Sequence, residues 1–154
     1  YRQKKPCAPA MRHRCVEWSC PANFYPDFSV WAENCWGINV VASMESLISD
    51  IIIDTEDPDR ALADLARCYE KMMMRSHTNG GYVNLLDECW KMCEKFHTNI
   101  VIMYDHVSCK NVGGLHGLFE DQARERGIHL IWIPHDVMDP RTVSRREMRE
   151  AFSQ

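Results

Sequence analysis

The sequence predicts an α/β fold, a Rossmann-like three-layer domain around a parallel sheet, and three observations carry that expectation. Short apolar runs at 38–42, 100–104 and 129–133 alternate with longer segments whose apolar residues recur at helical spacing. Each run is too short for a helix and apolar on both faces, as a strand covered on both sides of a parallel sheet must be. Helix-end signals then separate them: Asp57-Pro58, Ser144 with Glu147, Gly37 and Gly127.

Taken in order, residues 1–28 hold four of the seven prolines and three cysteines, Cys7, Cys15 and Cys20, without sustained periodicity. They read as a connecting segment, and 29–154 as the domain itself. The Cys15/Cys20 spacing with His13 nearby is a weak zinc signal, because knuckles need tighter pairs and a second pair downstream. Val30 to Trp36 reads as a short helix stopped by Gly37, followed by a strand at 38–42. The apolar segment 47–53 fits either a helical turn or a strand. Asp57 caps a helix with proline at its first position, and Leu62, Leu65, Ala66, Tyr69, Met72 and Met73 form its expected core stripe.

Ser76 to Gly81 reads as a turn by composition. A second helix follows, with Leu85, Leu86, Cys89, Trp90, Cys93 and Phe96 on one face, where Cys89 and Cys93 read as buried packing residues. After the strand at 100–104, Leu115, Leu118, Phe119, Gln122 and Ala123 mark a helix ended by Gly127. A last strand leads to the loop 134–141. Ser144 with Glu147 then forms a capping box, and Val143 with Met148 a hydrophobic staple, for a final helix.

The chain has 154 residues, enough for one domain with a real core, and a formal charge of -4 with no basic stripe, which excludes nucleic acid as the expected partner. No apolar run approaches the ~20 residues of a membrane span. The eight cysteines are scattered singly among nine methionines rather than set in a dense loop framework, so a reducing, cytoplasmic setting is expected. The chain starts at Tyr1 and stops within helical sequence, which reads as a piece of a longer protein.

Chemistry concentrates at Cys109. It follows the strand at 100–104, at the carboxyl edge where α/β sheets bind ligands, and Gly113 and Gly114 read as opening a helix whose free N–H groups, from Asn111 to Gly114, favour an anionic centre. A thiolate there serves as a metal ligand or as a nucleophile. The second role needs His106 or His135 with Asp105 or Asp136, and Lys110 lowers the thiol pKa for either purpose. An iron-sulfur cluster needs further thiolates from distant segments or a partner. A third reading is a non-catalytic α/β interaction module with inert thiols.

The segments 37–43, Ser108-Cys109-Lys110 and 136–149 resemble, in order and separation, the C-terminal domain of the 2-hydroxyacyl-CoA dehydratase and benzoyl-CoA reductase family. The resemblance covers about Pro21 to the end. It implies that Cys109 ligates a four-iron four-sulfur cluster beside a CoA-thioester site. Asp136 and Arg141, which match positions in the neighbouring loop, take no more than a supporting role. It further implies a homologous second subunit and a separate ATP-hydrolysing iron-sulfur activator. That activator supplies single electrons to the thioester carbonyl of a 2-hydroxyacyl-CoA or of benzoyl-CoA, forming a ketyl radical anion. The remaining cluster ligands lie outside this chain or are not identified by the resemblance, Cys20 being a further candidate within it, and the chain alone is expected to be inactive.

Overall fold

The computed structural model describes residues 11–45 and 51–153, except for the side chains at 73, 74 and 76–79. The elements are β1 His13–Trp18, α1 Phe28–Trp36, β2 Ile38–Ser43, α2 Pro58–Glu70, α3 Met73–Phe96, β3 Ile100–His106, α4 Lys110–Gly113, α5 His116–Arg126, β4 His129–His135 and α6 Arg145–Glu150, closed by a 3-10 turn Ala151–Ser153. Every strand pair is parallel, in the order β2-β1-β3-β4. Helices pack on both faces, so the three-layer α/β architecture expected from the sequence is the fold.

Side chains alternate between two cores. Val16 and Trp18 of β1 and Val101 and Met103 of β3 face Leu85, Leu86, Cys89, Trp90 and Cys93 of α3 and Phe119 and Ala123 of α5. Cys15, Ile102, Tyr104, Ile131 and Ile133 point the other way, onto Phe28 and Ala32 of α1, Met148 of α6 and Phe152. Both faces of β3 are thereby covered, which is why its sequence is continuously apolar.

The capping signals act as read. Gly37 and Gly127 close α1 and α5 in the left-handed conformation, at φ 68° and 66°. The Asp57 carboxylate accepts the N–H groups of Asp59 and Arg60, and Ser144 and Glu147 form a reciprocal capping box. Val143 and Met148 are buried in one cluster, as a staple requires.

Three expectations are corrected. The segment expected to connect contains β1, in the middle of the sheet between β2 and β3. Its Arg14 and Glu17 interrupt the apolar run that marks the other strands, yet both are satisfied: Arg14 Nε donates to the Phe96 carbonyl at 2.8 Å and Glu17 accepts from Tyr104 at 3.2 Å. Residues 1–10, with Cys7, lie outside the described residues.

The stripe on α2 does not face the core. Leu62 and Tyr69 are 65% and 58% exposed, and the inward side carries Asp64 and Cys68. Periodicity reveals that a helix has an apolar face but not which way the face is turned. Asp64 is satisfied there by Arg67 at 2.7 Å and lies 3.4 Å from the Asp54 N–H.

The expected turn at Ser76 to Gly81 is a single break. Backbone helix continues through Gly80, and only Gly81 departs, at φ 73° and ψ -176°, a conformation open to glycine. Of the undecided segment 47–53, residues 47–50 lie outside the described residues and 51–53 form neither helix nor strand.

Candidate functional site

Strand order decides where the site is. The chain moves from β1 outward to β2, then crosses back over β1 to lay down β3 on its other side, so the topology reverses between β1 and β3. In a parallel sheet the loops leaving two such strands diverge and leave a crevice at their carboxyl ends. Cys20 follows β1 and Cys109 follows β3, one on each lip.

Cys109 is the residue before α4 and is half-buried against the α3/α5 core. Its N–H donates to the His106 carbonyl at 2.7 Å, which folds the loop back sharply over the end of β3. Cys20 is half-buried too. Burial pushes its thiol pKa up, helped by the charge of Glu45, a hydrogen bond with Glu45 and, more weakly, by Cys109.

The glycines work differently from expectation. Gly113 ends α4 rather than opening a helix, and the Gly113 and Gly114 N–H groups are engaged with the carbonyls of Cys109 and Lys110 at 3.1 and 3.0 Å. Neither is free to face an anion, which leaves the amides earlier in the turn. What demands glycine is space: a Cβ on Gly114 would stand 2.9 Å from the Lys110 carbonyl, and one on Gly113 would stand 3.3 Å from the Asp105 carboxylate.

β3 and β4 are neighbours, in register from Ile100↔His129 to His106↔His135, so the loops after Cys109's strand and before Asp136 do share one edge. Their side chains do not converge on Cys109. Asp105 lies on the α3/α5 face, accepting from Trp132 Nε1 at 3.0 Å. His106 Nδ1 lies 3.4 Å from the His135 carbonyl. Asp136 is half-buried and caps its own loop, accepting the N–H groups of Met138 and Asp139 at 2.8 and 3.0 Å. Asp139 in turn holds the guanidinium of Arg141, which lowers the Asp139 pKa to about 2. Asp136 and Arg141 thus shape the loop. Among the described residues no hydrogen bond joins the Cys109 thiol to either histidine.

His135 is 0% exposed, against Tyr104 and His106, and neither ring nitrogen reaches a partner in hydrogen-bond geometry. Burial lowers its pKa below the ordinary 6.5, and backbone groups of Cys20 and Ile133 oppose the shift only in part. The sign of the pH effect follows: the unfolded chain protonates His135 first, so its contribution to stability is complete above pH 6.5 and is lost as pH falls through the folded-state pKa. Urea midpoints compared at about pH 5.5 and about pH 7.5 are expected to differ less in His135→Phe than in the parent. An unchanged difference would contradict this assignment.

Three further thiols are packing residues. Cys15, Cys89 and Cys93 are buried, and desolvation drives the pKa of Cys15 and Cys89 well above the ordinary thiol value. Cys15 faces the core while Cys20 sits at the edge, so the weak zinc pairing does not form. Among the described residues no group of three or more His, Cys, Asp or Glu side chains converges to hold a metal.

A family model for the 2-hydroxyglutaryl-CoA dehydratase D-component matches residues 1–154. The chain belongs to that family. No curated protein matches it in a sequence search. Membership points to a dehydratase enzyme subunit. The donors fit an iron-sulfur cluster in kind, since Cys109 and Cys20 are soft thiol ligands, both half-buried, at the carboxyl edge of the sheet. Two thiols do not complete one among the described residues. No helix among the described residues is long and apolar enough to cross a membrane.

Sequence reasoning passed over Glu17, an acidic residue that points inward from β1. The signal was present as an isolated carboxylate inside Cys15-Val16-Glu17-Trp18, but it carries meaning only once those residues are known to be a strand.

Proposed function

We propose that this chain is the thiolate-bearing α/β domain of a 2-hydroxyacyl-CoA dehydratase subunit, with Cys109 as a ligand of a four-iron four-sulfur cluster. The observation that supports it is the position of Cys109 at the topological reversal of a sheet whose whole chain matches a dehydratase family. Bound there, the cluster supplies a low-potential path for single electrons to the thioester carbonyl.

This chain's own residues do the holding and shielding. Cys109 anchors, with Cys20 on the opposite lip; the tight turn over β3, closed by the Cys109 N–H to His106 carbonyl bond, fixes the thiol. His135, uncharged and buried, keeps the floor of the edge free of water and of competing cationic charge. The remaining ligands and half of the substrate site belong to a homologous second subunit and to further parts of this one, and electrons arrive from an ATP-hydrolysing iron-sulfur activator in a reducing cytoplasm. Among thioesters the family description favours 2-hydroxyacyl-CoA over benzoyl-CoA.

The test is turnover by the complete complex purified without oxygen. Enoyl-CoA is expected from a 2-hydroxyacyl-CoA only when activator, ATP and a reductant are all present. Product without an electron source, or none with every component supplied, would overturn the reading.

A further inference from the structure

Behind the lip that carries Cys20 lies a cavity of about 190 Å³ lined by Glu17, Ala22, Phe28, Ser29, Tyr104 and Met148, among others. Pro21, the residue after Cys20, is part of its lining. Glu17 is its only acidic lining residue, and no lysine, arginine or histidine lines it among the described residues. The carboxylate Oε1 accepts the Tyr104 hydroxyl at 3.2 Å and the Ser29 hydroxyl at 3.5 Å.

A buried Glu-Tyr pair can be no more than packing between two strands. Such a pair is ordinarily sealed by its neighbours, because unfilled volume beside a polar group forfeits contacts and hydration together. Here the space next to the carboxylate is several times the ~30 Å³ share of a liquid water. A carboxyl with no cationic lining residue beside it among the described residues, in a largely polar pocket with two convergent hydroxyls, is an arrangement that can take a small polar ligand.

We propose that this cavity is a subsite for the neutral, oxygen-bearing end of a small acyl group, and that the Glu17 carboxyl donates a hydrogen bond to that oxygen. The proposal rests on the reading of the sheet edge as a thioester site, since it gives the acyl end a place beside the thiols. No bond is made or broken: the protonated Glu17 carboxyl donates a hydrogen bond to the ligand oxygen, so a bound ligand favours the acid form, while the Tyr104 and Ser29 hydroxyls favour the carboxylate.

The groups facing Glu17 set its proton affinity. Burial raises its pKa, and Glu45, beyond β2, adds repulsion; the hydroxyls of Tyr104 from β3 and Ser29 from α1 favour the carboxylate and pull the other way; α6 contributes only Met148. The net direction is upward from the ordinary 4.5.

The experiment is a carbon NMR titration of glutamate carboxyls in the full-length subunit, with Glu17→Gln to assign the signal. Lactamide serves as the neutral hydroxylated probe and propionamide as its deoxy control. Glu17 is expected to titrate above 4.5, and lactamide to raise its midpoint by a further ~0.5–1 pH unit, the equivalent of one hydrogen bond to the protonated form, with little effect of propionamide. Tyr104→Phe should raise the midpoint as well, by removing a bond that favours the carboxylate, and Ser29→Ala provides the same test at a surface position. A midpoint at or below 4.5, or one that is raised but indifferent to lactamide, would overturn the subsite and leave a packing pair. The titration needs neither iron nor turnover, so failure of the dehydratase reading would show separately, in the turnover assay.

Discussion

Phe119→Ala is expected to destabilise the protein by ~3–5 kcal/mol, the usual cost of deleting a buried aromatic ring. Phe119 is 0% exposed, with its ring 5.6 Å from Trp90 and 6.2 Å from Trp132, so it joins α3, α5 and β4 in one core. A domain of this kind is stable by only ~5–15 kcal/mol, so the loss removes much of the margin. The neighbouring Leu118 is 43% exposed, and Leu118→Ala is expected to cost within ~1 kcal/mol. Urea unfolding of the two variants separates a close-packed layer from a loose one; equal costs would contradict the packing described.

Cys109→Ala is expected to abolish cluster binding and dehydration together while leaving the unfolding midpoint nearly unchanged. The thiol is half-buried, and the loop around it is held by backbone bonds that alanine retains, the Cys109 N–H to His106 and the Gly113 N–H to the Cys109 carbonyl. Cys89→Ala makes the informative contrast. Cys89 is 0% exposed between the helices and the sheet, so its removal should lower stability by ~1 kcal/mol and leave iron in place. If the two variants behaved alike toward iron, Cys109 would have no special standing.

Features written locally in the chain were legible, and those that depend on how strands are ordered were not. Gly37, Gly127, Asp57 and the Ser144/Glu147 pair announce helix ends because each satisfies nearby backbone groups by itself. The strand before Cys109 stands out because a sheet interior needs apolar residues on both faces. β1 escaped notice because Arg14 and Glu17 find their partners, Phe96 and Tyr104, more than eighty residues away. The same distance hid the site. That Cys20 and Cys109 follow neighbouring strands at one sheet edge depends on β1 lying beside β3, which no spacing within 1–28 reveals. The outward turn of the α2 stripe likewise depends on what the helix lies against.

The central claim is that the thiol at the end of β3 holds an iron-sulfur centre, and the most direct measurement is iron and acid-labile sulfide content, with the visible spectrum, of the native complex purified without oxygen. The parent complex is expected to carry iron and sulfide in equal amounts with broad cluster absorption, and Cys109→Ala to lose the cluster assigned to this subunit. Full iron and sulfide occupancy in Cys109→Ala, or a parent complex without either, would contradict the account.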